Sequence, residues 1–138
     1  MHEWSLAHSV VAALDRFAQE NNIRRVVKVV VSLPKLAMLD REIFREAYAE
    51  LSKGGPLEGS ELVIEEEPPR FICRSCGKEF ALEQVAPQVA EVWSKYGEEN
   101  PLHFLPDLAP MFIRCPYCGS ENVAASNTEI RIKRVEGI

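Results

Sequence analysis

Cys73-Arg74-Ser75-Cys76-Gly77 and Cys115-Pro116-Tyr117-Cys118-Gly119 are the two stretches whose reading decides the fold. In each, two intervening residues let both sulfurs of a pair reach one ion. The glycine that follows permits the positive φ that turns backbone N–H groups toward the thiolates. Four thiolates match tetrahedral Zn(II) with no open position, so Cys73, Cys76, Cys115 and Cys118 point to a structural rather than a catalytic centre. Two redox pairs or a rubredoxin-like iron centre share this spacing and stay open as alternatives. Cys76 and Cys115 are separated by 38 residues, against roughly 15–20 in a minimal ribbon. The surplus is an insertion. Leu82 to Tyr96 carries Val85, Val89, Val92, Trp93 and Tyr96 on a helical stripe, broken or started near Pro87. Gly97 to Pro110 contains Pro101, Pro106 and Pro110 and reads as an ordered, irregular loop. The module's large apolar residues are chiefly Phe71, Phe80, Trp93, Phe112 and Ile113, a thin core. Metal is therefore expected to decide whether it folds, since structural zinc contributes roughly 10–16 kcal/mol in comparable peptides.

Outward from the knuckles, Pro68-Pro69 marks the clearest boundary. Upstream, Ser5 through Asn21 is a helix with Leu6, Val10, Ala13, Leu14 and Phe17 at helical spacing and Ser5 as N-cap. Val26 to Leu33 is a near-continuous β-branched run, the pattern of a central strand. Asp40 caps a second helix that presents Ile43, Phe44, Ala47, Tyr48 and Leu51 and stops at Gly54-Gly55-Pro56. Glu61 to Glu67 alternates as a strand, and its acidic face reads as solvated. Downstream of the knuckles, Glu129 to Val135 alternates again and has no local partner, so it is expected to return to the first sheet. The fold class is thus α+β: two helices packed on a three-stranded sheet, plus a four-cysteine zinc-ribbon-like domain with a helical and loop insertion. The expected domains are 1–69 with 122–138, and 70–121.

Composition narrows the function classes. With 46% apolar and 27% charged residues the chain is globular rather than disordered. The net charge of −5 and the lack of a basic aromatic cluster near the knuckles argue against a nucleic-acid-binding ribbon, the main alternative from another class. No apolar run approaches the ~20 residues of a membrane span. The start, Met1-His2-Glu3-Trp4, lacks a signal-peptide pattern, so the expected compartment is the cytoplasm.

Histidine supplies the second candidate chemistry. At the second position, the Met1 amine, the His2 amide and the His2 imidazole can close adjacent chelate rings, and the Glu3 amide offers another. Such all-nitrogen sets favour square-planar Ni(II) or Cu(II). A solvated terminal histidine is the plainer reading. His8 reads as a surface residue. His103, in Leu102-His103-Phe104-Leu105-Pro106-Asp107, is either a core histidine or a ligand on a positioned loop. A hydrolase built on His2, His8 and His103 lacks an activated nucleophile or paired carboxylates.

Met1-His2-Glu3-Trp4-Ser5-Leu6-Ala7 resembles the N-terminal signature of the HypA family of hydrogenase nickel-incorporation proteins. The two Cys-x-x-Cys-Gly knuckles, the acidic strand before them and the late strand Ile130 to Val135 extend the likeness over essentially the whole chain. The insertion, with Leu102 to Asp107, resembles that of archaeal members. The resemblance implies a non-enzymatic nickel metallochaperone for [NiFe]-hydrogenase maturation. It also implies a HypB-type nucleotide-hydrolysing protein and the hydrogenase large subunit as partners. By the same likeness, nickel sits at His2 with the Glu3 backbone, with Met1 and His103 as further donors, and the four cysteines hold structural zinc. One departure stands out: Leu33-Pro34-Lys35-Leu36 occupies the place of the family's Gly-Glu-Leu turn.

Overall fold

The computed structural model describes residues 2–138, and Met1 lies outside the described residues. The chain divides into two compact units, Met1–Ser32 with Leu39–Glu65 and Ile130–Ile138, and Leu33–Met38 with Glu66–Glu129. Three placements differ from the expected domains: residues 66–69 already belong to the second unit. The arm Leu33–Met38 groups with the second unit, and residues 122–129 stay there too, because their strand belongs to the second sheet.

In the first unit, α1 (His2–Glu20) buries Ala7, Val10, Val11, Leu14 and Ala18, the stripe expected of an amphipathic helix. It begins at His2 rather than Ser5, and its first turn carries the Glu3 carboxylate, which accepts from the Asp40 N–H. Phe17 lies at the margin of the stripe and is 44% exposed, contrary to its expected place on the apolar face. Asn22, in the left-handed region at φ 56°, turns the chain out of the helix. β1 (Val26–Pro34) is the central strand and buries Val26, Val29, Val31 and Leu33. It lies between β2 (Glu61–Glu67) and β6 (Arg131–Gly137). The returning strand β6 pairs antiparallel with β1, Val29 opposite Val135 and Ser32 opposite Arg131. α2 (Arg41–Leu51) starts where Asp40 Oδ1 accepts from the Ile43 N–H at 3.0 Å. It buries Phe44, Ala47 and Tyr48 and packs against α1. Its C-cap is Ser52, whose hydroxyl donates to the Tyr48 carbonyl at 2.6 Å; Gly54 at φ 80° comes two residues later.

The second unit is built on β3 (Arg70–Cys73), antiparallel to both β4 (Glu79–Ala81) and β5 (Val123–Ser126). Phe71 faces Phe80 across the β3–β4 pair, and their rings stack with centroids 5.3 Å apart. α3 (Leu82–Tyr96) runs unbroken through Pro87. Proline's missing N–H removes only the one bond it would have donated near the start of the helix. The segment after α3 is more regular than expected. A 3-10 turn at Gly97–Glu99 leads into α4 (Pro101–Phe104) and then a 3-10 turn at Pro106–Met111. Pro101 and Pro106 each open a helical turn, where a fixed φ helps and the absent N–H costs nothing. The core is also less thin than expected. Val85, Val89, Val92 and Leu102 of the insertion, with Val123 and Leu36, join Phe71, Phe80 and Ile113 in one cluster. The insertion and the arm after β1 therefore supply apolar surface that the knuckles alone lack.

Candidate metal centre

The knuckles are shaped by their backbone. The Gly77 N–H donates to the Cys73 carbonyl at 2.8 Å, and the Gly119 N–H to the Cys115 carbonyl at 2.9 Å. Both glycines hold the left-handed conformation, φ 78° and 75°. Each turn then aims an amide at sulfur: the Cys76 N–H at Cys73 Sγ and the Tyr117 N–H at Cys115 Sγ, both 3.4 Å. The two turns are linked, with Ser75 Oγ and Ser120 Oγ 2.8 Å apart and Lys78 Nζ 4.7 Å from the centre of the Tyr117 ring. Gln88 of α3 braces the second turn from outside. Its amide donates to the Arg114 carbonyl at 3.0 Å and accepts from the Arg114 N–H at 2.8 Å.

The four sulfurs converge within 4.8 Å of one another. Cys73 Sγ lies 3.6 Å from Cys118 Sγ, and Cys76 Sγ 3.7 Å from Cys115 Sγ. Tetrahedral zinc with bonds of about 2.3 Å spaces its thiolates about 3.8 Å apart, so the donor set fits that ion. Electrostatics agree. The backbone N–H of Cys76 lowers the Cys73 thiol to about 6. At Cys118 the Ser120 N–H also lowers the thiol, but Cys73, burial and the remaining cysteines raise it to about 11. Four thiols this close cannot all ionise on their own; a divalent cation removes that conflict. When bound, zinc closes the turns as a structural crosslink.

The start of α1 is a second organised place. Glu3 is only 6% exposed, and its Oε2 accepts from the Asp40 N–H at 2.9 Å. Burial, the largest single influence, raises its carboxyl, but the hydrogen bonds and charge around it, led by the backbone N–H groups of Asp40 and of Glu3 itself, together lower the value below its ordinary 4.5. His2, the first residue of the helix, is half-buried, whereas His8 is exposed as expected. The first N–H groups of an α-helix have no acceptor in the helical ladder, so the His2 and Glu3 amides stand outside it. Sequence reasoning valued Glu3 only for its backbone; the inward carboxylate was missed.

His103 is 6% exposed in the second unit. Its backbone N–H donates to Asn100 Oδ1 at 3.1 Å, and its Nδ1 lies 2.6 Å from the Ala37 carbonyl oxygen. Asn100, wholly buried, was also missed, although Asn-Pro at a helix start is a recognisable cap signal.

A small α+β unit joined to a four-cysteine zinc ribbon defines the class: a zinc-ribbon protein with an organised N-terminal helix. The family profile described as "Hydrogenase/urease nickel incorporation, metallochaperone, hypA" matches residues 1–137. The hydrogenase maturation factor HypA of Pyrococcus horikoshii is 38% identical over 122 residues, covering 88% of this chain and 84% of its own. The HypA of Ignicoccus hospitalis is 31% identical over 139 residues, 99% of this chain and 96% of its own. In fold, the solution structure of the Ni metallochaperone HypA from Helicobacter pylori matches with TM-score 0.62 at 20% identity, covering 99% of this chain and 97% of that one. The chain belongs to the HypA family of nickel-incorporation metallochaperones. It is a nickel carrier for hydrogenase maturation rather than an enzyme, with nickel as cargo and zinc as its structural ion. No described helix is long and apolar enough to cross a membrane.

Proposed function

We propose that the first unit carries nickel at the start of α1, through the His2 imidazole and the Glu3 backbone nitrogen. The Met1 amine and His103 are the further nitrogen donors. Cys73, Cys76, Cys115 and Cys118 hold the zinc that fixes the second unit. The observation that carries this reading is the buried Glu3 carboxylate bonded to the Asp40 N–H. It anchors the first helical turn through a side chain while the neighbouring backbone nitrogens remain outside the helical ladder. A carrier needs such a small nitrogen site, because its ion must leave as readily as it binds. Nitrogen donors hold Cu(II) more tightly than Ni(II), so selectivity comes from metal supply and partners. Those partners are a HypB-type nucleotide-hydrolysing protein and the hydrogenase large subunit, met in the cytoplasm. Calorimetric nickel titration of untagged, N-terminally extended and His103→Ala proteins tests the donor set. A steep loss on extension assigns the Met1 amine, and a loss in His103→Ala assigns the imidazole. Equal nickel binding by all three and by His2→Ala would refute the N-terminal site.

A further inference from the structure

A carbonyl oxygen can only accept, so the 2.6 Å contact between His103 Nδ1 and the Ala37 oxygen requires the proton on Nδ1. The neutral ring then carries its lone pair on Nε2. The rest of the ring's frame is equally defined. Trp93 meets it edge-on, centroids 5.4 Å apart at 75°, and Asn100 ties its backbone while donating from Nδ2 to the Gly97 carbonyl at 2.5 Å.

The carbonyl itself is held in place. Lys35–Ala37 is a single 3-10 turn that ends at Met38, in the left-handed region at φ 51°. The last carbonyls of a helical turn need donors from outside it, and the His103 Nδ1–H provides one. Leu36, 1% exposed within the core of the second unit, pins the turn. Metal-binding histidines characteristically donate their other ring N–H to a carboxylate or backbone carbonyl, which fixes orientation and raises ligand basicity.

We infer that the arm Leu33–Met38 is a positioning element for nickel, in which the Ala37 carbonyl selects the Nδ1–H tautomer of His103 and so assigns Nε2 as its metal-binding atom. The inference rests on the proposal above that His103 is a nickel donor. It gives a purpose to Leu33-Pro34-Lys35-Leu36, the segment where the chain departs from the family's usual turn.

The test begins with the zinc-loaded, nickel-free protein. Long-range proton–nitrogen correlation spectra of the imidazoles should show His103 in the Nδ1–H form alone; an Nε2–H ring overturns the inference whatever nickel does. Leu36→Ala loosens the arm but keeps every donor, and should mix the two tautomers and weaken nickel binding by about 10-fold. Leu36→Val serves the same purpose with a smaller effect if the alanine variant does not fold. Mixed tautomers with unchanged nickel affinity would overturn the positioning role. His103→Asn keeps an amide donor toward Ala37 and removes Nε2. Its stability should stay near that of the parent while nickel binding falls at least as far as in Leu36→Ala. Unchanged nickel binding in His103→Asn would instead remove the donor itself, and the inference with it, leaving His103 a structural histidine.

Discussion

Replacing Glu3 by glutamine is the most direct challenge to the anchored N-terminus. Gln keeps an oxygen that can accept from the Asp40 N–H, so the variant removes charge rather than shape. A hydrogen bond to a charged group contributes about 1 kcal/mol more than a neutral one. A carboxylate in the first turn of a helix adds about 0.3–1 kcal/mol through the dipole. Together Glu3→Gln should cost about 1–2 kcal/mol at neutral pH, and lower the melting temperature by about 4–8 °C. The sign with pH follows from the lowered carboxyl. Its stabilisation is fully present above the unfolded value and is lost as pH falls through the folded one. Thermal melts of both proteins at about pH 7 and about pH 3 should therefore show a gap that closes in acid. A gap of equal size at both pH values, or none at neutral pH, would mean that the ionised carboxylate does not anchor α1.

Three further outcomes follow from the knuckles. Stripping zinc with a chelator should raise hydrogen exchange around Cys73–Gly77 and Cys115–Gly119 while α3 stays protected, because Val85, Val89, Val92 and Leu102 bring apolar packing of their own to the cluster they share with Cys73 and Cys115; loss of protection throughout the second unit would contradict this. Gln88→Ala should cost about 1 kcal/mol and speed zinc transfer to a chelator, since Gln88 makes both hydrogen bonds to Arg114; an unchanged transfer rate would refute the bracing role. Gly77→Ala, at φ 78°, should strain the first knuckle by about 1–2 kcal/mol and weaken zinc binding, as read by competition with a chromogenic chelator.

What was legible in the sequence was what short-range chemistry dictates. The knuckle spacing and glycines announce four converging sulfurs, Asp40 announces its cap, and the unbroken valine run announces a central strand. The orphan strand, expected over Glu129 to Val135, could be assigned to the first sheet because it had no partner nearby; that its partner there is β1 came only with the structure. The rest depends on contacts between residues far apart in the chain. Ser5 was the better cap by local rules, yet the Glu3 carboxylate reaches Asp40, 37 residues away. No local pattern marks Leu36 as a core residue of the zinc-binding unit, or Ala37 as the partner of His103, 66 residues on. Pro87 reads as a breaker until Val85, Val89 and Val92, on either side of it, are seen to be buried on one face of an unbroken helix, while Tyr96 at the helix end stays exposed.

The central claim is that one chain holds two metals at independent sites, nickel at its N-terminus and zinc on its cysteines. Metal analysis of the untagged protein beside His2→Ala, each equilibrated with nickel and freed of unbound ion, addresses it most directly. The wild type should retain one zinc per chain and bind nickel, and His2→Ala should retain the zinc while losing the nickel. Nickel retained at the wild-type level in His2→Ala, or zinc lost with it, would contradict the account.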